Sequence, residues 1–335
     1  VREDFDVTVS LNTHGLRGPD LDYGKSTGRR RLVIAGDSFA HGYYAPEEET
    51  LAGRLRGSLT ACGVDVVNGG GPGYSTDQEW PYFSEELARY EPSEVLLLFY
   101  YNDLLFNIES LGTANRSKPM FREQDGKLTL VPPAFSAESA PPPAASVAPA
   151  APSAPRFHGS ALWSLFASRL QRTRPDWSRR LSTWGLVPEI SLEPPAEFLP
   201  FGPKDGAERA RVEAMWRMTE RLLAAFRDDV RARGAGFSVF YVPARFEVND
   251  EAWRYLARRY EGDRPWRRDA VYSRLSGVLA GLGIPLIDSN AAFAEAEASK
   301  QAAYLPVDGH WNSRGNEIAF RATLPVMARA YGCAR

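Results

Sequence analysis

The sequence predicts an α/β domain, a doubly wound parallel sheet of five strands flanked by helices. Short apolar runs of strand length alternate along the chain with longer stretches of helical spacing, the pattern of repeated βαβ units. One run, Glu94–Tyr100, is apolar at nearly every position, as expected of a strand covered on both faces. Three loops of unusual composition directly follow three of the runs. That puts them at the carboxyl ends of strands, where ligands bind in such sheets.

Arg31–Gly36 reads as the first buried strand, and Glu47–Cys62 has helical spacing at Leu51, Leu55 and Leu59. Val64–Val67 is the second strand, and Asn68-Gly69-Gly70-Gly71-Pro72-Gly73 is expected as its flexible exit. Ser75–Tyr90 reads as a helix that opens on a capping box between Ser75 and Gln78. Glu94–Tyr100 is the third strand, and Phe237–Val242 and Ile284–Asp288 are the fourth and fifth. The helical patterns Lys204–Gly234, Asp250–Tyr260 and Trp266–Gly283 lie around them, and a last helix spans about Ser313–Tyr331.

Residues 131–155 break this rhythm. Pro, Ala and Ser dominate there and leave little to bury, so a flexible excursion inside the domain is expected. Residues 157–203, with Trp163, Trp177 and Trp184, are a candidate cap beside the cleft. The whole chain, 1–335, is read as one domain carrying both insertions.

The chain has 335 residues, 44% hydrophobic and 24% charged, enough for a sizeable core. A formal net charge of -2 and no large basic patch argue against nucleic-acid binding by phosphate neutralisation. The basic run Gly28-Arg29-Arg30-Arg31 reads as solvated. The apolar runs are strand-sized, so no transmembrane helix is expected within them. The opening Val1-Arg2-Glu3-Asp4 looks like the middle of a protein, compatible with an upstream membrane anchor or signal. Cys62 and Cys333 show no metal-ligand spacing, and their pairing is left open.

Two motifs carry chemistry. Gly36-Asp37-Ser38-Phe39-Ala40-His41-Gly42 follows the first apolar run, and Asp308-Gly309-His310-Trp311-Asn312 lies near the other end. A serine hydroxyl is a poor nucleophile at neutral pH. It needs an imidazole to take its proton and a carboxylate to orient that imidazole. Ser38, His310 and Asp308 supply the three residue types. The glycine loop lacks the Gly-Lys-Ser/Thr ending and the G-x-G-x-x-G spacing of nucleotide cradles, and Asp308 and His310 lack companions for a metal site. No cofactor and no metal are therefore expected.

Gly36-Asp37-Ser38, the glycine loop ending in Gly73, Asn102 and Asp308-Gly309-His310, in this order, resemble the blocks of the SGNH (GDSL-like) hydrolase superfamily. The resemblance covers most of the chain and implies a flavodoxin-like sheet. It implies Ser38 as nucleophile, His310 as general base and acid, and Asp308 as the group orienting the imidazole. It also implies an oxyanion hole from the Ser38 and Gly73 N–H groups and the Asn102 amide. Loss of one such donor typically costs about 100–1000-fold in turnover. Gly73 is chosen because Gly73-Tyr74-Ser75-Thr76 resembles the family's turn into the helix, and Gly71 is the next candidate.

One residue separates Asp308 from His310, where many members have two. The Asp-x-His-Trp-Asn form resembles the branch that includes polysaccharide O-acetyltransferases. Asn12-Thr13-His14-Gly15-Leu16-Arg17-Gly18 is similar to a stretch found ahead of the serine block in membrane-anchored bacterial members, which implies an extracytoplasmic, periplasmic or cell-surface setting.

Plainer roles are expected for other residues. His41 competes as base but sits too close to Ser38 in sequence, which favours a wall or structural role. His14 and His158 read as structural or solvent-facing. Asp37 reads as a turn residue, Asp103 as solvent-facing or a loop cap, and Asn312 as the N-cap of the last helix. Trp311, Tyr43, Tyr44, Tyr100 and Tyr101 could pack or stack on a sugar. The expected function is serine-dependent hydrolysis of small O-acyl esters, acetyl above all, on a carbohydrate. An O-acetyltransferase acting on a cell-surface polysaccharide is the first alternative, and a non-catalytic glycan-binding protein the second. The expected partner is thus a small acyl ester or an O-acetylated glycan.

Overall fold

A computed structural model describes residues 6–24, 28–42, 44–112, 117–133, 177, 193–260, 264–306 and 308–333. Most of the proline- and alanine-rich excursion and of the candidate cap, with His158, Trp163 and Trp184, lies outside these residues, as does Tyr43.

Strands β1 (Arg30–Gly36), β2 (Val64–Gly70), β3 (Glu94–Phe99), β6 (Gly236–Tyr241) and β7 (Leu286–Ile287) form one sheet in the order β2-β1-β3-β6-β7. Every pairing within it is parallel. This is the doubly wound α/β sheet predicted, with its order reversing at β1, where ligands bind outside the carboxyl ends of the strands. Alternate residues of β1 explain why both faces are covered. Val33 and Ala35 enter one core with Leu97, Phe99, Val239 and helix α5 (Gly206–Ala232). Leu32 and Ile34 enter the other with Leu96, Leu98 and helices α2 (Leu51–Leu59) and α10 (Ser313–Ala330).

The glycine loop differs from expectation. Asn68, Gly69 and Gly70 continue β2, in register with Ile34, Ala35 and Gly36. Close packing accounts for the glycines. A Cβ on Gly70 would lie 2.1 Å from the His41 backbone nitrogen, and one on Gly69 would lie 2.3 Å from Leu87. The expected helix over 75–90 is α3 (Thr76–Glu85), followed by a 3-10 turn over Leu87–Tyr90. Its capping box does not form, because the Ser75 hydroxyl donates to Asp77 Oδ1 at 2.6 Å.

Not foreseen were the antiparallel hairpin of β4 (Met120–Gln124) and β5 (Lys127–Val131), the helix α9 (Asn290–Ala298), and the one-turn helices at Ser38–His41, Asp103–Phe106 and Arg245–Val248. The remaining short helices are α1 (Ser38–His41), α4 (Asp103–Phe106), α6 (Arg245–Val248), α7 (Asp250–Arg259) and α8 (Ala270–Gly281). Among the described residues no helix is long and apolar enough to cross a membrane.

Cys62 and Cys333 form a disulfide across 271 residues, with their Cα atoms 5.6 Å apart. It ties the end of α2 to the segment that follows α10.

Candidate active site

Ser38 is the first residue of α1, directly beyond the carboxyl end of β1. Asp37 caps this short helix by accepting from the Phe39 N–H at 2.8 Å, so the residue before the serine is a turn carboxyl, as read from the sequence. Burial pushes the Asp37 carboxyl up to about 7, against the backbone N–H groups that favour its charged form. Behind the turn, the Arg17 guanidinium donates to the carbonyls of Gly42, of Ala45 at 2.6 Å and of His41 at 3.3 Å. Arg17 is 3% exposed. The segment Asn12–Gly18 therefore braces the serine turn. Its motif was noticed in the sequence, but its target was not, because the contact spans more than twenty residues.

His310 reaches the serine from the opposite end of the chain. Its Nε2 lies 2.7 Å from Ser38 Oγ, and its Nδ1 is hydrogen-bonded to Asp308 Oδ1. Gly309 lies at φ +85°, a left-handed conformation that L side chains rarely adopt. In this turn a single intervening residue lets the carboxylate fold back onto the ring. The imidazole is stacked between Phe39, at 4.6 Å, and Tyr44, at 4.2 Å between centroids. Burial lowers the His310 pKa below its ordinary value of 6.5, and Asp308 opposes that shift. The neutral ring that results is the form that accepts a proton.

Asn312 caps α10 by accepting from the N–H groups of Arg314 and Gly315 at 2.8 and 3.1 Å. Trp311 is 2% exposed and packs among Phe39, Phe240 and Phe293, so it anchors the base loop and presents no face to a sugar. Tyr100 links Phe39 to Tyr101 through ring contacts of 4.7 and 4.6 Å. His41 ends α1, and burial, with Arg17 nearby, lowers its pKa to about 4. His14 packs against Tyr23 and Tyr90, a structural position.

The expected oxyanion donors follow three neighbouring strands. Asn102 precedes α4, directly beyond β3. Its side chain makes no capping bond, and its Oδ1 is buried without a hydrogen-bond partner among the described residues. Gly73 lies between β2 and α3. The Gly71 N–H donates to the Gly36 carbonyl at 2.8 Å, which occupies the alternative donor.

Asp103, expected to face solvent or to cap a loop, does neither. It is 1% exposed and accepts from Thr76 Oγ1 at 3.1 Å. Asp77, Glu79 and Lys118 are likewise buried, at 0%, 1% and 4% exposure, and none was singled out from the sequence. Among the described residues no group of three or more His, Cys, Asp or Glu side chains could hold a metal ion.

Residues 203–333 match the family model of the SGNH hydrolase-like domain of the acetyltransferase AlgX. The resemblance read from the sequence holds over this segment, which contains Asp308 and His310. Ser38, Gly73 and Asn102 lie outside it. No curated protein matches the chain in sequence. Solved structures similar to the chain include a catalytic mutant of Axe2, an acetylxylan esterase from Geobacillus stearothermophilus, at 13% identity and TM-score 0.43, covering 92% of this chain and 96% of that one. A lipase/acylhydrolase from Enterococcus faecalis is similar at 13% identity and TM-score 0.42, covering 89% and 95%. At such identities and scores, neither likeness bears on activity or substrate.

Proposed function

We propose, from the match of residues 203–333 to an SGNH hydrolase-like acetyltransferase domain and from the 2.7 Å contact between Ser38 and His310, that this protein cleaves small O-acyl esters through an acyl-enzyme on Ser38. The observation that carries the reading is that contact, with Asp308 on the far ring nitrogen. Ser38 Oγ attacks the ester carbonyl carbon while its proton passes to His310 Nε2. The oxyanion is met by the N–H groups of Ser38 and Gly73 and by the Asn102 amide. The tetrahedral intermediate collapses, His310 returns the proton to the departing alkoxide, and the acyl group stays on Ser38. Water then gives its proton to His310 and attacks the acyl carbon, which releases the acid and restores the serine. The acyl group is acetyl and the alcohol a carbohydrate hydroxyl.

The acetyltransferase description of the matched family favours a second reading, in which a sugar hydroxyl on a cell-surface polysaccharide takes the place of water. Every group on the protein keeps its role. The paired Cys62 and Cys333 support an oxidising, extracytoplasmic setting for either reading.

The test is release of p-nitrophenol and acetate from p-nitrophenyl acetate, with and without an oligosaccharide acceptor. Ser38→Ala is expected to lose about 10⁴-fold or more in kcat. Serine-dependent acetate identifies the hydrolase, and serine-dependent acetylated sugar the transferase. Equal turnover by wild type and Ser38→Ala would refute both, because the ester cleavage would then not come from Ser38. No turnover and no Ser38 labelling by a serine-reactive phosphonate would leave a non-catalytic glycan-binding protein.

A further inference from the structure

The three loops that present Ser38, Gly73 and Asn102 share a buried feature. Asp37 stands one residue before Ser38, Asp103 one residue after Asn102, and the turn Ser75-Thr76-Asp77 follows Gly73. These carboxyls act on one another and on Glu79. Glu79 feels Asp103, Asp37 and Asp77, and Asp103 feels Asp37 and Asp77. A direct bond ties two of the loops together, Thr76 Oγ1 donating to Asp103 Oδ2 at 3.1 Å, and within the turn after Gly73 Ser75 Oγ donates to Asp77 Oδ1 at 2.6 Å. The Asp77 N–H donates to Asn107 Oδ1 at 3.1 Å, which joins α3 to the turn after α4.

Four buried carboxyls close together repel one another when ionised. Burial pushes Asp77 up to about 6 and raises Glu79 and Asp103 well above the usual carboxylate range. Both oxygens of Glu79 and one of Asp103 have no hydrogen-bond partner among the described residues. Lys118, 4% exposed, brings a cation to this cluster through an ion pair with Asp77 Oδ2. A surface charge would not need such burial. A buried cation is costly unless it is paired and hydrogen-bonded, as Lys118 is to Asp77.

We propose that Lys118 is a positioning residue of the acyl-transfer site, acting through Asp77 and Asp103 to hold the glycine loop against the asparagine loop. Lys118 touches no reacting atom. Its cation keeps Asp77 ionised and bonded to Ser75, and the neighbouring Thr76 then reaches Asp103 beside Asn102. The inference rests on the serine reading above, so its test separates the two.

The measurement is the rate at which a fluorophosphonate probe labels Ser38 in the full chain, normalised to folded protein, alongside kcat and KM on p-nitrophenyl acetate. Labelling that survives in Ser38→Ala refutes the serine reading itself. If labelling depends on Ser38, Lys118→Met is expected to slow it and to lower kcat by about 100-fold with KM little changed, the size of effect that loop misplacement of about 1 Å produces. The double variant Lys118→Met/Asp77→Asn is expected to lose no more than Lys118→Met alone, because the lysine acts through the ionised Asp77. A merely structural lysine would change the folded fraction and leave the normalised rate unaltered.

Should Lys118→Met fail to fold, Thr76→Val carries the test, because it cuts the link to Asp103 without changing charge. It is expected to slow labelling about 10-fold. Wild-type labelling by the folded Lys118→Met protein, or by Thr76→Val if the former does not fold, overturns the proposal.

Discussion

Ser38 is 8% exposed, on a turn capped by a buried carboxyl and braced by the buried Arg17 guanidinium. Asp308 and His310 stand on a loop where their side chains are 35% and 23% exposed. Polar groups in a low-dielectric setting hold the serine, whereas rings hold the imidazole: Phe39 and Tyr44 on its two faces, and Trp311 one residue on. A buried polar network has few alternative arrangements once all its bonds are made. Stacked rings tolerate small shifts. The serine side is thus built to stay in place, and the base side can settle against it.

The largest effect that sharpens this comparison is expected at Asp308. Asp308→Asn keeps the shape of the loop but replaces the carboxylate that accepts from the ring. It is expected to lower kcat by about 10³–10⁴-fold, since the wrong tautomer then faces Ser38. A loss below 10-fold would mean that ring stacking alone orients His310 and that the carboxylate is incidental.

The disulfide tests whether the base side depends on the far end of the chain. Cys333 follows α10, the helix that begins three residues after His310. Replacing both cysteines by serine is expected to cost about 2–5 kcal/mol of stability, because a long loop in the unfolded chain is no longer closed. Urea unfolding of the oxidised protein and the variant would measure it. Turnover per folded molecule is expected to hold, because Trp311 and the Asn312 cap anchor the loop locally. A matching fall in turnover would show that the loop is positioned through α10 instead.

What could be read from the sequence follows the same division. Ser38 was legible because a buried parallel strand is an apolar run and its exit must be a tight turn. His310 was legible because Asp308, His310 and Asn312 lie within five residues. The buried charges near the serine turn were not legible. Arg17, Lys118 and Asp77 are charged residues whose partners lie far away in the chain, as Lys118 and Asp77 do at 41 residues apart, and Glu79 is a buried carboxyl without a hydrogen-bond partner among the described residues. A charged residue without a visible partner is normally read as exposed. The hairpin of β4 and β5 was missed because its residues are mostly half-exposed or exposed and lack a buried face of alternate positions. α9 was missed because it buries only Phe293 and Ala296, too few for a helical stripe to appear.

The smallest expected effect tests the ring sandwich itself. Burial holds the His310 pKa below 6.5, and in the proposed mechanism the neutral ring is the base, so the acid limb of kcat/KM is expected below pH 6.5. The same depression bears on stability. Between the lowered folded value and the ordinary unfolded one, the unfolded chain binds more protons, so stability falls as pH drops through that window. Tyr44→Ala would open one face of the imidazole to water. Its pKa should then rise toward 6.5, carrying the acid limb to higher pH. On the plateau above the limb, loss of one ring contact is expected to cost about 2–10-fold in kcat/KM. A pH–rate profile of the two proteins measures both. An unmoved acid limb would mean that Phe39 and the surrounding core already desolvate the ring, and that Tyr44 closes the site without tuning its base.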